Sequence, residues 1–289
     1  MAGSSAPLRR LGAELRRLRE AAGRTQSDVG SAIGRTHTTL VNWELGKTKI
    51  SKSDLVCLLA ELRTPTEVRK GLEQLRDQAG RETSQWATYG LPDWLRPLVS
   101  FEEDAVTVTS FEPVLIPGLL QTENYARSVH TAGRRKVASE FVDRWVAARM
   151  QRQQRLSGPD PLRLSAVISE AAIRLRVGGA EVCVDQLRRL LELGQQDNIS
   201  IRILTADENG YGGVASNFTV LHFADPKVDP PLGYFDGPLG GHMISDEGDV
   251  ATMVNMFDDL RHMALSETDS AEMIAAVLEQ RERESGTHV

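Results

Sequence analysis

Only two cysteines, Cys57 and Cys183, occur in 289 residues, which excludes a disulfide framework. Both lie in apolar helical patterns far apart in the chain, so each is expected to be a buried free thiol. No run of about eighteen apolar residues occurs, which excludes a membrane-spanning apolar helix. The opening MAGSSAPLRRLG has no apolar stretch of the signal-peptide kind. A cytoplasmic protein with no membrane partner is therefore expected. The histidines (His37, His130, His222, His242, His262, His288) show no metal-ligand spacing and no nearby cysteine pair. Neither a phosphate-binding glycine loop nor a G-x-S-x-G elbow is present. No metal, cofactor or catalytic residue is expected on these grounds, and there is no internal repeat or low-complexity tract.

The length favours two domains, and a composition 40% hydrophobic and 26% charged is that of an ordinary globular chain. The net charge of −6 hides an asymmetry. Through Arg63 there are eleven Lys/Arg against six Asp/Glu, and beyond it 23 against 34. A basic head on an acidic body suits a chain whose head meets phosphates.

Leu8, Leu11, Leu15, Leu18 and Ala22 form one apolar helical stripe, which Gly23 ends. Thr25-Gln26-Ser27-Asp28 reads as an N-cap with an acid in the first turn, opening a short helix that turns Val29 and Ile33 inward. Gly34 supplies a positive-φ turn. Thr36 caps a third helix, His37 to Leu45, burying Leu40 and Trp43 and exposing His37, Thr38, Thr39, Val41 and Asn42; Gly46 stops it. Ser51 opens a fourth helix with Leu55, Leu58, Leu59 and Leu62 inside. Two short helices joined through a glycine turn in a small basic domain are the helix-turn-helix pattern.

The segment TQSDVGSAIGRTHTTLVNWELGKTKIS closely resembles the phage-repressor (Cro/C1) and Xre-type family. The resemblance covers residues 8–63 and implies a third helix that enters the major groove of double-stranded DNA. It places Thr36, His37, Thr38 and Asn42 at base edges and Gln26, Lys47 and Lys49 at phosphates. It also implies an ion pair between Arg19 and Glu44 and binding as a homodimer. The chemistry suits these roles: Asn bonds adenine at two points, a His nitrogen donates to guanine N7, and Thr offers a methyl or a hydroxyl.

Thr64-Pro65-Thr66 marks a joint, followed by helical residues to about Gln78 and an irregular, tryptophan-rich stretch from Gly80 to Pro97. Beyond it, strand-like segments at 105–112, 162–169, 199–204 and 217–223, with Tyr234 on another strand or edge, alternate with helical ones. The expected fold is an N-terminal all-α helix-turn-helix (lambda-repressor-like) domain, 1–63, then a linker, 64–99, and a larger mixed α/β (α+β) domain, 100–289. Pro117-Gly118 is expected to open a helix over Leu119–Val129. Glu170, at a strand end, reads as a capping group, with a general base as the alternative. Arg149 and Arg152, one turn apart, read as a solvated or salt-bridged face, and Gly210-Tyr211-Gly212-Gly213 as a flexible hairpin loop. Met253, Val254, Phe257 and Leu260, and then Ile274, Val277 and Leu278, form stripes that either cover the domain's own core or join two copies.

The string from Glu112 to Arg127, EPVLIPGLLQTENYAR, resembles the signature of the DUF5753 family, which follows Xre-type domains in actinobacteria. The resemblance continues in Arg149–Gln153, Ser169–Arg174, Val177–Gly179, Gln186-Leu187 and Ala264–Ser266. It implies a domain that senses a small-molecule ligand or a small protein encoded nearby. Pro117–Ala126 either fixes the domain's core or presents that surface. The leading reading is thus a transcription regulator with no enzymatic activity. The alternative is a DNA-tethered, nucleotide-using enzyme with a transferase-like second domain, which a polar pocket holding a Glu with Arg and His groups would favour.

Overall fold

A computed structural model describes residues 6–132, 138–206, 216–226, 229–237 and 239–286; the Gly210–Gly213 loop lies outside them. Packing divides the chain into two compact units. The first runs through Asp104 and takes in Ala224–Pro230, and the second holds Ala105–Phe223 and the chain from Pro231 onward.

The first unit is helical: α1 (Ala6–Ala21), α2 (Gln26–Ala32), α3 (His37–Glu44), α4 (Lys52–Glu61), α5 (Thr66–Ala87) and α6 (Arg96–Asp104). One core joins Leu11 and Leu15 of α1, Val29 of α2, Leu40 and Trp43 of α3, and Leu55, Leu58 and Leu59 of α4. Each such side chain contributes roughly 1.5–3 kcal/mol when fully buried. Two expectations need correction. Cys57 is exposed, whereas Cys183 is buried; on α4 it points away from the Leu55–Leu58–Leu59 stripe. The stretch from Gly80, expected to be irregular, begins as helix. Helix α5 continues through Gly80 to Ala87, and its Leu72 belongs to the head's core, with Val68 and Leu75 packed against it. An amphipathic face that finds a core stays helical despite a glycine.

Gly12 is where α1 and α3 come closest. A Cβ there would lie 2.5 Å from the Glu44 carbonyl oxygen and 2.6 Å from that of Trp43. Alanine in a helix interior normally gains about 1 kcal/mol over glycine. Here the obstacle is backbone, which has no rotamer to change, so overpacking outweighs the gain. Gly12→Ala is expected to destabilise the unit by about 2 kcal/mol net; a denaturant unfolding curve matching the unsubstituted chain would rule out this close approach.

The second unit runs β1 (Thr107–Glu112), α7 (Glu123–Ala132), α8 (Ser139–Gln153), β2 (Arg163–Ser169), α9 (Glu170–Arg174), α10 (Ala180–Leu193), β3 (Ile199–Leu204), β4 (Phe218–His222), β5 (Leu232–Gly237), β6 (Gly240–Ile244), α11 (Glu247–Met263) and α12 (Glu267–Gly286). The strands form one mixed sheet in the order β3-β2-β1-β4-β5-β6. Strands β1, β2 and β3 are parallel, with Thr107 opposite Arg163 and Leu164 opposite Ile199, and β4, β5 and β6 continue the sheet antiparallel. The edge strand β3 is covered: Ile203 N–H donates to Ser270 Oγ at 2.8 Å and Ile203 O accepts from Leu265 N–H at 2.9 Å. Such cover keeps an edge from pairing with another chain.

Period-two alternation sends Phe111, Val167, Phe218 and Val220 to one sheet face, where they pack with Val250, Phe257 and Leu260 of α11. Met253 and Val254 lie against the same cluster, and Ile274 and Val277 of α12 are buried. Both closing stripes are therefore spent on the domain's own core. The helix expected over Leu119–Val129 is also divided. A 3-10 turn covers Gly118–Leu120, Gln121 is extended, and α7 begins after Thr122, whose hydroxyl accepts from Tyr125 N–H.

Candidate nucleic-acid interface

Two caps and a glycine turn fix the helix-turn-helix. Thr25 and Asp28 form a reciprocal capping box at the start of α2, with Thr25 Oγ1 accepting from Asp28 N–H at 3.1 Å and Asp28 Oδ2 from Thr25 N–H at 3.2 Å. Gly34 takes φ 68° in the turn, a conformation costly to any residue with a Cβ. Thr36 then caps α3, accepting from Thr39 N–H at 3.2 Å while its hydroxyl also bonds that of Thr39 at 2.8 Å.

With Leu40 and Trp43 buried, α3 turns His37, Thr38, Val41 and Asn42 to one outer face. His37 and Thr38 are exposed, and Val41 and Asn42 half-buried. Thr36 stands at the head of this face, but its hydroxyl is engaged in the cap, which leaves mainly its methyl for a base. Lys47 and Lys49 are exposed in the loop after α3 and form no ion pair among the described residues. Arg35, not singled out from the sequence, binds Asp54 Oδ1 through Nε at 3.0 Å and Nη2 at 2.8 Å, so its charge is turned toward α4.

Behind this face lies a buried network. Arg19 Nε meets Glu44 Oε1 at 2.6 Å and Arg19 Nη2 meets Oε2 at 3.0 Å, with the two residues only 8% and 7% exposed. Arg19 Nη1 also donates to Arg24 O at 2.9 Å. Gln26 Nε2 donates to Glu44 Oε2 at 2.7 Å, so Glu44 ties α3 to both α1 and α2. One amide hydrogen of Gln26 is thereby spent inward, and a phosphate contact falls to its other hydrogen or to the backbone at the start of α2.

In the second unit, the signature residues hold their own loop. Gln121 Nε2 donates to Ile116 O at 2.7 Å, and its Oε1 accepts from Arg149. Tyr125 Oη accepts from Ile116 N–H at 3.3 Å. Gln153 donates to the carbonyls of Gly118 and Gln121 at 3.1 and 2.7 Å. Gln186 donates to Leu120 O at 2.8 Å and accepts from Thr122 N–H at 2.7 Å. The loop before α7 is thus fastened from α8 and α10. Arg149 is half-buried and Arg152 buried, so of the solvated or salt-bridged face expected for them the solvated form is excluded. Glu170 bonds Arg174 at 2.7 Å and accepts from Ala206 N–H, and Arg174 holds its carboxyl below the usual range. The cap of α9 is Ser169, whose Oγ accepts from Ala172 N–H at 3.2 Å. Glu170 is thereby an ion-paired acid, poorly placed to act as a base at neutral pH.

Sequence reasoning missed a polar cluster on the sheet face opposite α11. Register places Ser110, Thr219 and Tyr234 side by side on β1, β4 and β5. One tier further, at the carboxyl end of β1, stand Glu112, Asn217 and Asp236. Asn217 Nδ2 donates to Asp236 Oδ1 at 2.6 Å. Burial, and then the nearby Asp236, push the Glu112 carboxyl up to about 8, against the smaller pull of Arg149. Burial and Arg149 likewise lower His130 to about 4. The alternation in 105–112 is visible in the sequence, but Asn217 and Asp236 join Glu112 only through strand order. A separate cleft of about 490 Å³ opens at the amino ends of β2 and β3, lined by Arg163, Ser165, Gln196, Asp197 and Asn198 among others.

These features define a helix-turn-helix DNA-binding domain joined to a mixed α/β domain. A family model described as "Helix-turn-helix domain" matches residues 10–72. A second, "Domain of unknown function (DUF5753)", matches residues 95–276, and the chain belongs to that family. No curated protein and no solved structure matches the chain. Among the described residues no helix is long and apolar enough to cross a membrane, and no group of three metal-ligating side chains occurs.

Proposed function

We propose that the chain is a sequence-specific transcription regulator of the Xre type. It acts in the cytoplasm as a homodimer on double-stranded DNA, and its DUF5753 domain senses a ligand or a small partner protein rather than catalysing a reaction. The observation that carries this reading is the outer face of α3. There His37, Thr38 and Asn42 stand clear of the core on a helix locked by the Thr36 cap and the Glu44 network. His37, Thr38 and Asn42 read base edges, with Thr36 adding its methyl, and Lys47, Lys49 and Gln26 hold phosphates.

Selection of bound DNA from a random pool, followed by titration against the recovered site, tests this. Thr38→Ala and Asn42→Ala are expected to relax preference at single positions and to cost about 1–3 kcal/mol each. Lys47→Ala and Lys49→Ala should weaken all sequences alike and each reduce the slope of log affinity against log salt by about one. An unchanged motif in both Thr38→Ala and Asn42→Ala would show that α3 does not enter the groove in this register.

One observation favours a second reading, a DNA-tethered enzyme using nucleotides: Glu112, a carboxyl with raised affinity for protons, and the imidazole of His130 both lie within the electrostatic reach of Arg149. Turnover of a nucleotide that Glu112→Gln abolishes while DNA binding persists would establish it in place of the sensor.

A further inference from the structure

Helix α3 carries two apolar side chains that the head's core does not use. Leu40 and Trp43 fill that core. Val41 and Leu45, the residue that ends α3, join neither the buried cluster nor the apolar side chains packed against it. Val41 is half-buried and Leu45 is 49% exposed. Spacings of three and four put both on one strip of the helix with the exposed Thr38, whose methyl extends it. An exposed leucine alone calls for no explanation, but this one continues a strip along the face that carries Asn42.

The charges beside the strip decide what covers it. Lys47 and Lys49 are exposed and form no ion pair among the described residues. Asn42 O accepts from Lys47 N–H at 2.8 Å, which holds the lysine's backbone at the end of this face. The one acid of α3, Glu44, is turned inward to Arg19 and Gln26. Cations at the margin and no carboxylate on the face suit a polyanion, duplex DNA, rather than an apolar protein surface. The apolar group that DNA presents at base edges in the major groove is the C5 methyl of thymine. Asn42, next to Val41, is suited to bond adenine at two points, so the amide and the strip together fit A·T pairs.

We propose that Val41 is a specificity-determining residue of this interface, packing on the C5 methyl of a thymine while Thr38 and Leu45 keep water from the contact. The inference rests on the reading of α3 as the recognition helix and names a base that it selects.

The test takes the site recovered by selection with the full chain and replaces its thymines by deoxyuridine one at a time. Each replacement removes a methyl and leaves every hydrogen-bonding group in place. At one thymine of the half-site binding is expected to weaken about fourfold, the worth of one buried methyl. Val41→Ala should bind the thymine and deoxyuridine duplexes nearly equally there, and Val41→Ile should keep the difference. Without DNA, Val41→Ala should melt with the unsubstituted chain, because the side chain lies outside the core; melting several degrees lower would overturn the proposal. So would deoxyuridine tolerated at every position. A penalty that persists undiminished in Val41→Ala would overturn it too, by assigning the effect to duplex shape or to another side chain. A recovered motif that needs Asn42 but no thymine methyl removes this inference and keeps the regulator. Recovery of no preferred sequence removes both.

Discussion

Glu44→Ala is expected to lower the stability of the helix-turn-helix domain by about 3–5 kcal/mol and with it to abolish DNA binding. The size follows from what is left behind. Arg19 is 8% exposed and would keep only the Arg24 carbonyl and a 3.5 Å approach to Glu20, while Gln26 would lose its acceptor. An uncompensated buried guanidinium costs far more than the net worth of the pair, and a domain of this size has only about 5–15 kcal/mol to lose. Replacing both partners with apolar residues, Arg19→Met with Glu44→Leu, should recover much of that loss, because no buried charge remains. DNA binding should recover less than stability does, since Gln26 then has no anchor on α3. Chemical unfolding of the three chains beside the unsubstituted one decides the matter. Equal stability of Glu44→Ala and the unsubstituted chain would mean that water, rather than protein, surrounds Arg19.

Much of the head was legible because its signals are local. The caps at Thr25, Thr36 and Ser51, the turn at Gly34 and the leucine stripes are each set within a few residues, and each appears where the pattern places it. Boundaries were less legible. Gly80 and the tryptophans after it suggested irregular chain, yet Leu72, packed into the head's core, carries α5 on to Ala87. A fragment ending near Gln78 would therefore cut a helix in its middle. In the second domain the strands with alternating or apolar runs could be read, but β6 could not. Its Gly240-Gly241 start has little strand propensity, and Gly241 is needed where the Tyr234 hydroxyl passes. Arg149 looks like a surface charge because helical spacing alone does not reveal that its side of α8 faces the loop at Ile116–Thr122. The cluster of Glu112, Asn217 and Asp236 was illegible for a deeper reason: Glu112 lies more than a hundred residues from the other two and meets them only by sheet order.

That cluster gives the second large effect, a dependence of stability on pH. Glu112 holds its proton to about pH 8 in the folded chain, against 4.5 for an ordinary glutamate. Between those values the unfolded chain is ionised and the folded one is not, so the folded state binds more protons and stability falls as pH rises. Below about 4.5 and above about 8 the term is flat. His130, held near 4 against 6.5, acts in the opposite sense, with stability rising between those two values. The window from pH 6.5 to 8 therefore belongs to Glu112. At about 1.4 kcal/mol per unit the chain should lose up to about 2 kcal/mol across it, less to the extent that water screens the half-buried side chain. Glu112→Gln should flatten this window and leave the chain more stable than the unsubstituted one at pH 8 by at least about the same amount. Asp236→Asn, which removes the second cause of the shift, should narrow the window from above. Melting temperatures of the three chains at half-unit steps of pH test both statements. A slope that survives in Glu112→Gln would assign the titration to another group and remove the case for a proton-holding carboxyl at the end of β1.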